Sequence, residues 1–265
     1  MTTATAVLDA RGLTKAFNGN TVLQGLDLQV RDGEFIAVMG PSGSGKSTLL
    51  YNISGMDTMT AGNVRFLGQE LSTLTQKELA RLRLTTMGFI FQHVYLLKNL
   101  SLLDKVVLPA YLAGLAPRHE LNQRALALME RVGVADLADR DVSEASGGQL
   151  QRIGICRALI NRPTILLGDE PTGSLDSTAA AEIMDILGQL NAEGTTIMLV
   201  THDTKVAART RRVLYMLDGH IVGDRDQGPY LAAGMDRRHA ELTAWLLAQE
   251  RGPEPSSSTV SDGLA

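Results

Sequence analysis

A single cysteine, Cys156, stands in 265 residues, so no disulfide can form within the chain and a reducing compartment is the expected setting. Long apolar runs are missing too. The most apolar stretch, Leu102 to Leu115, is broken by Asp104, Lys105 and Pro109 and falls short of the ~20 apolar residues that span a bilayer. The densest basic spot is Arg209-Thr210-Arg211-Arg212 and the net charge is −4. This provides no electrostatic footprint for nucleic acid, and no nucleic-acid partner is expected. Residues 1–11 carry no cationic segment followed by an apolar one, so export is not signalled. A cytosolic location is expected, with any membrane role exercised through a partner. No internal repeat occurs, which excludes tandem copies of one domain.

What is present is a composition able to bury a full core, 44% hydrophobic and 20% charged, enough for one large domain or two small ones. The most informative segment is Gly40-Pro41-Ser42-Gly43-Ser44-Gly45-Lys46-Ser47-Thr48, entered from the apolar run Phe35 to Met39 and followed by Leu49 and Leu50. It satisfies G-x-x-x-x-G-K-[ST] in the strand-then-helix context the motif requires. Glycine at ~7% usage would give such a match by chance in about one chain in a hundred. Its glycines let consecutive N–H groups turn inward, and with the helix N-terminus they make a cradle for phosphate oxygens. Gly40, Ser42, Gly43, Ser44, Gly45, Lys46, Ser47 and Thr48 are therefore the candidate nucleotide-binding residues.

Around this loop the pattern predicts an α/β fold. Val7 to Val30 reads as two strand-like runs about the turn Asn18-Gly19-Asn20, an antiparallel β subdomain. Buried-strand runs at Phe35 to Met39, Thr164 to Gly168 and Thr195 to Thr201, separated by helical patterns, argue for a mainly parallel sheet. Ser72 to Arg162 is largely helical in period, opening on the capping box Thr75 to Glu78. Asp218-Gly219 marks a late hairpin, and His239 to Gln249 forms an amphipathic helix with Leu242, Trp245 and Leu246 on one face. The expected organisation is a P-loop NTPase domain over 1–225, with its core at about 1–71 and 161–225 and an inserted helical subdomain at about 72–160. A C-terminal helical extension at 226–250 and a disordered tail at 251–265, rich in Pro and Ser, follow.

Ile165 to Glu170 is an apolar run ending in two adjacent carboxylates. At a strand end, Asp169 can face Mg²⁺ while Glu170 faces a water beyond the γ-phosphate, which suggests hydrolysis. Lys46 would sit on the β- and γ-phosphates and the Ser47 hydroxyl on Mg²⁺, which takes few protein ligands. Gln92, after the buried run Met87 to Phe91, either completes metal and water positioning or is a solvated loop residue. His202 either donates to the γ-phosphate or is structural. A second glycine turn, Ser146-Gly147-Gly148-Gln149, heads the helical run Leu150 to Ile160; it is either a second anion-seeking helix start or a plain serine cap.

The order of these pieces resembles the ATP-binding-cassette ATPases over roughly Leu8 to Val222. The resemblance implies ATP and Mg²⁺ as cofactors, ATP hydrolysis, and a head-to-tail dimer in which the Ser146-Gly147-Gly148-Gln149 turn closes over ATP held by the loop of a second copy. It also implies Gln92 in the Q-loop, Asp169 on Mg²⁺, Glu170 as general base, Asp176 in the D-loop and His202 as switch histidine. Phe17 stands where a ring stacks on adenine, with a core phenylalanine as the competing reading. Gly88 to Gln92 with Leu96 and Leu97, and Asp169 to Ser177, are similar to the ATPases of macrolide-export, lipoprotein-release, antimicrobial-peptide-resistance and division-associated systems. Such a subunit sits on the cytoplasmic face of the membrane through integral permease subunits, with Leu96, Leu97, Leu100 and Leu103 as candidate docking residues. The alternative is an ATPase that drives sensing or envelope regulation without net transport. Ala145, Leu150 and Gly168 depart from the family pattern and put the packing around the glycine-turn helix in question.

Overall fold

The computed structural model describes residues 6–94 and 99–251. Leu96, Leu97 and the stretch 252–265 lie outside the described residues. The chain opens with β1 (Ala6–Phe17) and β2 (Asn20–Arg31), paired antiparallel about Asn18 and Gly19. Both turn residues have positive φ, 49° and 86°, the backbone that matches a tight hairpin to strand twist. After β3 (Phe35–Met39) and α1 (Lys46–Ile53), β4 (Ala61–Phe66) pairs with β1 and the short β5 (Gln69–Glu70). The result is a four-stranded antiparallel sheet in the order β2-β1-β4-β5.

Next come α2 (Gln76–Thr86), β6 (Met87–Phe91), α3 (Leu102–Ala113), α4 (Arg118–Arg131) and α5 (Gly147–Leu159). The chain then runs through β7 (Ile165–Asp169), α6 (Ser177–Ala192), β8 (Thr196–Val200), α7 (Thr204–Ala207), β9 (Arg212–Leu217), β10 (His220–Asp226) and α8 (Met235–Arg251). The second sheet has six strands in the order β10-β9-β3-β8-β7-β6. All its pairings are parallel except β10 on β9. Among the described residues, no helix is long and apolar enough to cross a membrane.

The continuous apolar runs of β3, β7 and β8 follow from burial on both faces of this sheet. Ile36, Val38, Ile165, Leu167, Met198 and Val200 pack toward α1 and the antiparallel sheet, with Leu8, Leu49, Ile53 and Phe66. The alternate residues Phe35, Leu166, Ile197 and Leu199 pack the other way, onto Ile155 of α5 and Ile183, Met184 and Leu187 of α6. Each such fully buried Leu or Ile is worth about 1.5–3 kcal/mol. A third cluster, with Leu102, Val106, Leu121, Ala125, Met129, Ile153 and Cys156, joins α3, α4 and α5.

The stretch 72–160 is not helical throughout. Within it β6 pairs in parallel with β7, Met87 opposite Ile165 and Phe91 opposite Asp169, and forms the edge of the main sheet. Helix α2 gives way there because the Thr86 carbonyl accepts from Thr164 N (2.8 Å) across the sheet. Gly88 permits the close fit, since a Cβ there would lie 2.6 Å from the Ala158 carbonyl oxygen of α5.

Candidate nucleotide site

The loop from Gly40 to Gly45 leaves the carboxyl end of β3, a central strand, which is where open parallel sheets bind ligands. Gly40, Gly43 and Gly45 have φ of 150°, 83° and 98°. At Gly40 a Cβ would lie 2.1 Å from the Met216 carbonyl oxygen, and at Gly45 it would lie 2.9 Å from Leu23 Cδ2. Two glycines are thus required by close approach as well as by conformation. The Asp218-Gly219 turn backs the loop: Gly219 N donates to the Ser44 carbonyl (3.2 Å) and Gln24 N donates to the Gly219 carbonyl (3.0 Å). The hairpin thereby ties the loop to β2.

Helix α1 begins at Gly45 with no side-chain cap and no acidic residue in its first turn. With no side-chain cap, its leading N–H groups are left for an anion to satisfy. Lys46 Nζ folds back onto the carbonyls of Gly40 and Pro41, 2.8 Å from each. Burial lowers the Lys46 pKa, against the opposing pull of Glu170 and Asp169. A desolvated ammonium over an uncapped glycine loop fits a polyphosphate. Ser42 and Ser47 are exposed, Thr48 is half-buried, and Ser44 is buried.

The second half of the site comes from β7. Ser47 Oγ donates to Asp169 Oδ1 (3.0 Å) and the Tyr51 hydroxyl to Oδ2 (3.3 Å). Burial pushes the Asp169 pKa up, and these two hydrogen bonds oppose the shift without cancelling it. A carboxylate short of solvation beside a hydroxyl fits a hard cation such as Mg²⁺. No group of three or more His, Cys, Asp or Glu side chains among the described residues is arranged to hold a metal ion by itself.

Glu170 follows with φ 49°, a left-handed backbone that turns the chain off the strand end. Its Oε1 lies 2.7 Å from His202 Nδ1 and accepts from His202 N (3.1 Å), and its Oε2 accepts from Thr201 Oγ1 (3.2 Å). The Glu170 side chain is 18% exposed and that of His202 73%.

Lys46, Ser47, Asp169, Glu170 and His202 therefore converge; other candidates do not join them. The Gln92 amide lies against Gly173, where a Cβ would come 3.0 Å from Nε2, and the Gln92 carbonyl accepts from Ser174 Oγ (3.0 Å). Asp176 caps α6, accepting from Thr178 N and Ala179 N at 2.9 Å each. Phe17 is not a core residue: it is 46% exposed at the end of β1, with Lys15 Nζ 4.6 Å from its ring centroid.

Ser146 caps α5 reciprocally: its Oγ accepts from Gln149 N (3.3 Å) and its N–H donates to Gln149 Oε1 (2.8 Å). The turn packs beside α6, where a Cβ on Gly148 would meet Ala179 Cβ at 3.2 Å. Helix α5 lies against the edge strand β6, which stands three strands from β3 in the sheet. Of the family departures, Ala145 and Leu150 pack on the α3–α4–α5 core. Gly168 leaves space for Leu199, whose Cδ2 would lie 2.6 Å from a Cβ there.

Tyr51, Thr201 and Gly219 were not among the residues expected from sequence. Tyr51 falls one helical turn after Ser47, and Thr201 directly precedes His202, so helix spacing and adjacency were the available signals. For Gly219 the hairpin was legible, but its contact with the loop was not.

A phosphate cradle on a central parallel strand, faced by paired carboxylates two strands away, defines a P-loop nucleotide hydrolase. The family described as ABC transporter matches residues 23–173, more than half of the chain, and the chain belongs to it as an ABC-type ATP hydrolase. It is 44% identical over 222 residues to lipoprotein-releasing system ATP-binding protein LolD 2 of Rhodospirillum rubrum, covering 82% of this chain and 96% of that protein. It is also 44% identical over 223 residues to macrolide export ATP-binding/permease protein MacB of Nitrosomonas europaea, covering 82% of this chain but 34% of that one. The chain thus spans about a third of its MacB relatives. Among solved structures it is similar to the dimeric bacterial ABC transporter cassette MJ0796, with TM-score 0.77 and 35% identity over 84% of this chain and all of that one. A post-hydrolysis dimer of the same cassette, bound to ADP and Pi, matches equally.

Proposed function

We propose that the chain is the ATP-hydrolysing subunit of a membrane transporter, acting as a head-to-tail dimer with its permease in a separate chain at the cytoplasmic face of the membrane. The observation that carries this reading is the 3.0 Å contact between Ser47 Oγ and Asp169 Oδ1 beneath the glycine loop, with Glu170 next in sequence. Lys46 leaves the Gly40 and Pro41 carbonyls for the β- and γ-phosphates, which stabilise its desolvated charge. Ser47 and Asp169 hold Mg²⁺, which when bound neutralises phosphate charge and orients the transferred group. Glu170 takes the proton of the attacking water, and His202 fixes the carboxylate that does so. Gln92 is assigned to report on this step from the β6 end, and Phe17 offers its exposed ring to adenine.

The Ser146-Gly147-Gly148-Gln149 turn heads α5, which packs on the sheet face opposite the one that carries α1; this favours its use by a second copy, with Asp176 at the start of α6. Its shared site makes ATP the ligand that closes the dimer and hydrolysis the event that opens it. The names of the relatives favour export or extraction from the membrane. A cleft of about 390 Å³ between β6, α2 and α3, lined by Met56, Arg83, Met87, Phe89, Phe91 and Pro109, offers apolar surface to a permease segment. Leu100 and Leu103, among the docking candidates, are half-buried.

The test is ATP turnover in Mg²⁺ by the full chain, alone and with the membrane protein that copurifies with it. Phosphate release abolished by Lys46→Ala supports the reading, and its absence in both preparations overturns it.

A further inference from the structure

Helix α8 packs against the main sheet. Leu242 and Leu246 are buried with Ala37 and Met39 of β3, Ala207 of α7, and Val213 and Tyr215 of β9. The helix therefore packs on the strand that feeds the phosphate loop and on the short helix that follows the switch histidine. Arg238 donates to the carbonyls of Ala208, Thr210, Gln227, Gly228 and Pro229 at 2.6–3.0 Å, a fan of bonds that fixes the helix start. At the other end the Tyr215 hydroxyl donates to Glu250 Oε1 (2.9 Å). Gly223 of β10 makes room for the ring of Trp245, whose Cζ2 would lie 2.7 Å from a Cβ there.

One residue of this helix reaches the catalytic loop. His239 Nε2 lies 2.7 Å from Thr204 Oγ1, two residues beyond His202. The segment 201–204 is held by Glu170, through Thr201 Oγ1, His202 N and His202 Nδ1, by Asp203 N donating to Thr201 Oγ1 (3.0 Å) and by Asp203 capping α7 through Lys205 N (2.7 Å). From α8 it is held by His239. Downstream on α8, Thr243, Leu246, Leu247 and Glu250 share a cavity of about 290 Å³ with Gly40, Pro41, His202 and Thr204, so the same helix face borders both the loop and the switch.

We propose that His239 is a positioning residue for ATP hydrolysis: through Thr204 it holds the switch loop so that His202 stays on the Glu170 carboxylate. This rests on the catalytic reading of Glu170 and His202 above. The bond joins a C-terminal helix to the active-site loop, so its loss, with α8 still packed on β3 and β9, loosens the Glu170–His202 pair while the phosphate-loop contacts stay in place. Because chemistry and nucleotide binding are served by different contacts, loss of the bond acts on kcat and leaves KM for ATP nearly unchanged.

The experiment compares His239→Ala, His239→Gln, Thr204→Val and the double variant His239→Ala/Thr204→Val in the full chain. It measures steady-state ATP turnover and amide hydrogen exchange of residues 201–207 without nucleotide. We expect His239→Ala and Thr204→Val each to lower kcat about three- to tenfold with KM changed less than twofold, and to speed exchange across 201–207. The double variant is expected to be no worse than either single one, as for two partners of one bond, and His239→Gln to recover most of the loss. Unchanged exchange and kcat in His239→Ala, an additive double variant, or losses that His239→Gln does not recover would each overturn the proposal. A wild-type chain that hydrolyses no ATP defeats the functional reading instead, and the exchange measurement then decides this inference alone.

Discussion

One oxygen of Glu170, Oε1, accepts the backbone N–H of His202 at 3.1 Å and lies 2.7 Å from the ring nitrogen Nδ1 of the same residue. Carboxylate and imidazole are thereby locked into one orientation at the ends of neighbouring parallel strands, β7 and β8. Such double engagement leaves the Glu170 carboxylate little rotational freedom, and reduced reorganisation is how positioned groups lower a barrier.

Glu170→Gln keeps an acceptor oxygen but removes the carboxylate proposed as the base. Turnover is expected to fall at least about a hundredfold, within the 10²–10⁴ range of general-base catalysis, while ATP binding persists and an ATP-bound dimer accumulates. Phosphate release and light scattering read the two effects. Retained steady-state turnover would remove Glu170 from the base role.

Ser146→Arg places bulk and charge at the glycine turn and removes the helix cap, which costs about 1 kcal/mol. The fold is expected to survive and ATP to bind, but ATP-dependent dimerisation to disappear when measured by light scattering in the Glu170→Gln background. A dimer that still forms under ATP excludes the turn from a shared site.

Burial raises the pKa of Asp169, so folding favours its protonated form. The stabilisation is complete below the unfolded carboxylate value of about 4 and is lost as pH rises through the higher folded-state value. Asp169→Asn keeps the shape without the charge. It is expected to raise the thermal midpoint of the nucleotide-free chain at pH 7 and to show no gain near pH 3, while abolishing Mg²⁺-dependent turnover. A wild-type chain that is the more stable at pH 7 contradicts this sign.

Gly168→Val forces a side chain toward Leu199 Cδ2, 2.6 Å from the Cβ position. Overpacking of this kind costs typically about 1–3 kcal/mol, and Leu199→Ala in the same chain should return part of it. Urea unfolding of the two variants measures both terms.

Cys156 is fully buried, and burial pushes its thiol up to about 12. At pH 8 the native chain is expected to leave a thiol reagent unconsumed and to titrate fully once denatured. Rapid labelling of the native chain would show that α5 opens locally.

The phosphate loop, the paired carboxylates and the two hairpins were legible because each is a local signal: glycines of positive φ, an apolar run ending in acid, and turn dipeptides between β-formers. Other features were not local. Strand β6 sat inside a helical stretch, and only its pairing with β7 makes it part of the sheet. The sequence pattern marks helix α8 from His239, whereas it starts at Met235, where Arg238 is held by the carbonyls of the preceding segment Gln227 to Pro229 and of the more distant Ala208 and Thr210. Gln92 follows the buried run Met87 to Phe91, but its amide lies against Gly173, in a segment 81 positions later in the chain.

By itself, then, the sequence determined which groups exist for the chemistry and the order in which they occur, since Lys46, Ser47, Asp169 and Glu170 are each tied to a local backbone pattern. Tertiary structure decided which of them meet. Ser47 and Asp169 are separated by 122 positions and lie 3.0 Å apart because the chain crosses the sheet from β3 to its far edge at β6 before returning through β7. It also decided that His239 reaches the switch loop at all, because a hydrogen bond between distant segments depends on how α8 packs on β3 and β9.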